Sequence, residues 1–79
     1  MVWFDLFWDG ENDEHIAEHG LTIEDVEYAV ENSIKTHVSR STGRPMIEGY
    51  TQDGRVSMVV FEYLDDITIY PVTAYEVER

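Results

Sequence analysis

Residues 21–39, LTIEDVEYAVENSIKTHVS, carry the change of period that decides the fold. Ile23, Val26, Ala29 and Val30 recur at helical spacing, with Glu24, Asp25, Glu27 and Glu31 largely on the other side. The start of this helix is well marked. Thr22 followed by Asp25 reads as a capping box, and Leu21 with Val26 as a hydrophobic staple. Acidic residues in the first turn suit the helix dipole, and Asn32 or Ser33 ends the helix. After residue 34 the pattern alternates, as a strand requires.

Outward from this switch, residues 11–19 are mostly helix formers, with Asp9 or Gly10 to start the turn and Gly20 where a left-handed C-terminal residue would sit. Before them, residues 2–9, VWFDLFWD, read as a first strand with one fully apolar face. After the switch, strands are expected near 34–39, 45–51, 55–64 and 67–73. Gln52-Asp53-Gly54 is the firmest hairpin turn and Asp65-Asp66 a second. Pro71 lacks a ladder donor, so the last strand should end, bulge or lie on an edge there. The predicted fold is α+β: an N-terminal strand, then two helices packed on one face of a mainly antiparallel sheet, in a single domain over 1–79.

Composition narrows the function. A chain of 79 residues and 9.2 kDa, 43% hydrophobic, supplies one small core. Cysteine is absent, which removes disulfides, thiolate metal sites and cysteine nucleophiles and makes a cytoplasmic location the natural expectation. No apolar stretch is long enough to cross a bilayer, and the N-terminus lacks the marks of a secretory signal. The formal net charge of −12 repels nucleic acid and anionic membrane alike. Its distribution is uneven. Four of the five basic residues, Lys35, Arg40, Arg44 and Arg55, fall in the window 35–55.

That window contains the most ligand-like segment, Ser39-Arg40-Ser41-Thr42-Gly43-Arg44-Pro45. Two guanidinium groups and three hydroxyls on a turn suit a phosphate oxyanion; alternatively the arginines neutralise neighbouring carboxylates. Arg55, after the Asp-Gly turn, has the same two readings. His19 stands at a helix C-terminus, where its imidazole either caps carbonyls or handles protons near neutrality. Glu11, His15 and His19 recur every four residues, a spacing open to metal ligation but more often a solvated face. Of the aromatic residues, most must build the core. Tyr75, beyond the expected final strand, stands apart as exposed.

Several short motifs in order resemble the BrnT-like toxins: Phe7-Trp8-Asp9, His19-Gly20-Leu21-Thr22, Asp25-Val26, Arg44 before a strand, Gly49-Tyr50-Thr51, Asp53-Gly54-Arg55, Val59-Val60-Phe61 and Thr73-Ala74-Tyr75-Glu76-Val77. The resemblance spans nearly the whole chain. It implies the toxin of a type II toxin-antitoxin pair, a RelE-like fold, and RNA cleavage with neither metal nor cofactor, neutralised by a cognate antitoxin. His19 would move protons, Arg44 and Arg55 would grip the phosphate, Tyr75 could donate a proton, and Lys35 and Arg40 would bind RNA with Arg44. The chain departs from the family in its acidic first helix and in Tyr75-Glu76, where basic residues are usual. A second function class follows from that departure, a non-catalytic acidic module binding a basic protein.

Overall fold

The structure, a computed structural model, describes residues 4–77. Its elements follow the order β1 (Asp5–Leu6), α1 (Glu11–Ala17), α2 (Ile23–Glu31), β2 (Ser33–Val38), β3 (Pro45–Tyr50), β4 (Val56–Tyr63) and β5 (Thr68–Glu76). The five strands form one mixed sheet in the order β1-β5-β4-β3-β2, antiparallel except for the parallel β1–β5 pair. Helix α2 packs on β3 and β4, and α1 on β5. This is the expected α+β arrangement.

Helix α2 begins as its sequence dictates. The Thr22 hydroxyl accepts from the Asp25 amide, and the Asp25 carboxylate accepts from the Thr22 amide, both at 3.1 Å. Asn32 closes it by donating its side-chain amide to the Tyr28 carbonyl at 2.9 Å. Val26, Ala29 and Val30 then meet Ile47, Val59, Phe61, Ile69 and Ala74 of the sheet in one core, completed by Ile16 and Leu21. Each large side chain buried there contributes about 1.5–3 kcal/mol. The helix sits close enough on β3 that a Cβ at Gly49 would lie 2.0 Å from the Ala29 carbonyl oxygen. Only glycine fits at that contact.

The first strand is shorter than the expected 2–9. Residues 2 and 3 lie outside the described residues, and pairing stops after Leu6 for a reason written elsewhere in the chain. Asp5 and Phe7 donate to the carbonyls of Ile67 and Ile69 at 2.8 and 2.9 Å, so the next rung of this parallel ladder would need the amide of residue 71 to reach the Phe7 carbonyl. Residue 71 is proline and has no N–H. The buried Asn12 supplies the missing donor, its Nδ2 lying 2.8 Å from the Phe7 oxygen. Its Oδ1 accepts from the amides of Asp9 and Asp13 at 3.0 and 3.1 Å.

The last strand is longer than the expected 67–73. β5 lies between β1 and β4, and its register to β4 shifts between Val60↔Thr73 and Phe61↔Pro71, leaving Val72 as the extra residue of a bulge. Past the bulge the strand runs on to Glu76, which places Tyr75 inside it. The first helix ends at Ala17 and not at residue 19; Glu18, His19 and Gly20 form the turn that follows, with Gly20 left-handed at φ +79°. Gln52-Asp53-Gly54 forms the expected turn, closed by Thr51 donating to the Arg55 carbonyl at 2.8 Å, with Gly54 at φ +85°.

Two substitutions test this account by urea unfolding. Gly49→Ala should cost about 3 kcal/mol or more, because the atom displaced is helix backbone. Asn12→Ala should cost about 1–3 kcal/mol by leaving the Phe7 carbonyl unsatisfied.

Candidate active site

Because Ile47 and Gly49 face the helices, the alternation of β3 turns Met46, Glu48 and Tyr50 to the other side. The register extends this into rows across the sheet: Lys35, Glu48, Met58 and Tyr75 in one, and His37, Met46, Val60 and Thr73 in the next. Helix α2 lies on the other side, against Ile47 and Gly49. Tyr50 and Tyr75, 47% and 39% exposed, stand at its lower end.

At the centre of the face His37 Nε2 lies 3.1 Å from Glu48 Oε1. Glu48 is buried, with only 8% exposure. A carboxylate held this way fixes the ring and favours the proton on Nε2, leaving Nδ1 as the acceptor. The His37 side chain remains one-third exposed and so open to a ligand. Arg44 lies on the same face, above Met46, with its Nε donating to Glu62 Oε1 at 2.9 Å. Arg40 sits in the β2–β3 loop, which is tied by Ser39 donating to the Arg44 carbonyl and Gly43 to the Ser39 carbonyl, both at 2.8 Å. Arg40 forms no ion pair among the described residues.

The structure therefore divides the residues singled out from the sequence. Lys35, Arg44 and Tyr75 share the open face, with Arg40 at its upper rim. His19 lies on the helix side, at the exposed end of α1, its ring 5.6 Å from that of His15. Arg55 also belongs to the helix side. Its guanidinium binds Asp53 at 2.9 Å, Glu76 at 3.2 Å and Asp25 at 3.5 Å, which ties the start of β4 to the end of β5 and the first turn of α2. Arg44 meets Glu62, seven residues along β4 from Arg55, so the two arginines lie about 23 Å apart and cannot grip one phosphate. Nor do Glu11, His15 and His19 converge: among the described residues no three His, Asp or Glu side chains group as metal ligands.

His37 and Glu48 do not stand out in the sequence. Their signal was faint, since Lys35 and His37 alternate on one strand and Glu48 alternates with apolar Ile47 and Gly49 on the next. Only the β2–β3 register brings them together.

Charge is segregated between the two sides. Eight of the seventeen acidic residues lie between Glu11 and Glu31, in the helix layer, whereas no acidic residue occurs between Ser33 and Ile47. The β2 strand and the β2–β3 loop thus carry Lys35, Arg40 and Arg44 with no carboxylate of their own, which favours approach of an anion there. Comparison with models of known protein families, with curated proteins and with solved structures finds no match.

Three exposed carboxyls are held below the usual carboxylate range. Asp9 accepts from the Tyr70 hydroxyl at 2.9 Å and from the Glu11 amide at 2.9 Å, and the same bond pushes the Tyr70 phenol up. Asp53 is lowered by the Thr51 hydroxyl and by Arg55, and Asp65 by the amides of Ile67 and Thr68 at 3.0 and 2.7 Å. Each titrates lower in the folded than in the unfolded chain. Their stabilisation is therefore complete above about pH 4, the unfolded value, and disappears as pH falls through the folded values. Asp65→Asn keeps acceptors for both amides but cannot titrate, so thermal melts from about pH 2 to pH 7 should show a shallower acid loss in this variant.

Proposed function

We propose that this chain is the toxin of a toxin-antitoxin pair and that it cleaves RNA in the cytoplasm, without a metal, on the open face of its sheet. The observation that carries this reading is the His37–Glu48 pair, 3.1 Å apart on the sheet face turned away from α2, which also holds Lys35, Arg44 and Tyr75. The resemblance to BrnT-like toxins, with which the strand-helix-helix-sheet order agrees, supports the toxin part of the reading.

In this mechanism Nδ1 of His37 takes the proton of a ribose 2′-hydroxyl, and the 2′-oxygen attacks the adjacent phosphorus. The bond from phosphorus to the 5′-oxygen breaks. The products are a 2′,3′-cyclic phosphate and a free 5′-hydroxyl, the latter receiving its proton from water or from the imidazolium. Glu48 holds the imidazole in place and balances its charge. Lys35 and Arg44 offset the extra negative charge of the pentacoordinate phosphorus, with Arg44 leaving Glu62 to do so. Arg40 binds the flanking backbone, and the exposed rings of Tyr50 and Tyr75 receive unstacked bases. This assignment moves the proton-handling role from His19 to His37 and makes Arg55 a structural residue. The acidic helix layer, on the opposite side, steers a basic antitoxin.

The second reading, a non-catalytic module for a basic partner, draws on the engagement of both Arg44 and Arg55 by carboxylates. Incubating purified protein with single-stranded RNA separates the two. Wild type should cleave, leaving cyclic phosphate ends; His37→Ala should lower the rate about 10²–10⁴-fold, Arg44→Ala should also slow it, and His19→Ala should leave it unchanged. Intact RNA with folded wild type would reject the ribonuclease reading and leave the module, which should then bind a cationic protein in a strongly salt-dependent way.

A further inference from the structure

Among the described residues the sheet ends on one side at β2, whose outer edge meets no other strand. The direction of its backbone groups follows from the loop. Ser39 donates inward to the Arg44 carbonyl, so alternation turns the amides and carbonyls of His37 and Lys35 toward β3 and those of Thr36 and Val38 outward. A bulge between Ser33 and Lys35 limits the regular edge to Lys35–Val38. This stretch contains no proline, and Val38 is 68% exposed. Edge strands in this condition pair readily with another chain.

We propose that β2 pairs antiparallel with β2 of a second copy, about a two-fold axis passing beside His37. In that register Thr36 exchanges both backbone bonds with Val38 of the second copy, and Val38 with its Thr36, so all four outward amides and carbonyls on each strand are satisfied. Two observations favour a second copy as the occupant. The first is self-complementarity: on the helix side the exposed Val38 methyls cover the Thr36 methyl of the other copy, and on the open side Lys35 comes opposite Ser39, whose hydroxyl can accept from it. The second is charge. On a chain of net charge −12, residues 33–47 carry no carboxylate, so this edge is where two copies approach without acid meeting acid. The product is a continuous sheet of ten strands whose two His37–Glu48 pairs lie side by side on one open face. The inference does not depend on the ribonuclease reading.

Sedimentation equilibrium over a range of concentrations tests it. Wild type should approach twice the 9.2 kDa of the chain at high concentration and dissociate on dilution, and added salt should strengthen association by screening the remaining acidic surface. Val38→Lys places a charge on the edge, and Thr36→Pro deletes an outward amide that β3 does not use; both should remain at 9.2 kDa with unchanged circular dichroism. A wild type that stays at 9.2 kDa up to about 1 mM would overturn the proposal. So would folded variants that dimerise as strongly as wild type.

Discussion

The seating of α2 on β3 governs the rest of the molecule. With no side chain at Gly49, the Ala29 carbonyl comes down against the strand backbone, and the helix closes over Ile47, Val59 and Phe61. That contact fixes which side of β3 is inside. Because strand side chains alternate, it also fixes what is outside, sending Met46, Glu48 and Tyr50 to the face away from α2. A shift of one residue would reverse every assignment, burying Glu48 under the helix and exposing Ile47.

The same alternation sorts the charges. Residues on the helices have one buried stripe and otherwise face solvent, so an acidic helix sequence becomes an acidic surface layer. The acid-free stretch falls on β2, its loop and the start of β3, at the opposite face and edge. Among the described basic residues Arg55 is the exception. Its position at the start of β4, on the helix side, surrounds it with Asp25, Asp53 and Glu76, where it holds three elements together and keeps three carboxylates from repelling one another.

Pro71 shows how one residue propagates across the sheet. Lacking an amide, it ends the parallel pairing at Leu6; the orphaned Phe7 carbonyl then calls for Asn12, and Asn12 in turn accepts the Asp9 and Asp13 amides at the start of α1. The bulge beside it lets β5 resume its antiparallel pairing and carry Tyr75 onto the open face. The sequence marked Pro71 as a break, a bulge or an edge. Choosing among the three required the neighbouring strand, since the amide is missing only relative to a carbonyl that expects it.

Local signals determined a good deal by themselves. The Thr22–Asp25 capping box, the left-handed Gly20, the Gln52-Asp53-Gly54 turn and the change from helical to alternating period each depend on residues within a few positions of one another, and each formed where the sequence placed it, although α1 itself stops three residues before Gly20. Tertiary structure decided the site. Whether Arg44 and Arg55 could share a phosphate, whether His19 or His37 stands on the open face, and whether Glu48 has a histidine beside it are questions of register and side between segments far apart in the chain. A strand's own residues state that two faces exist, and only the helix that packs on one of them settles which is left open.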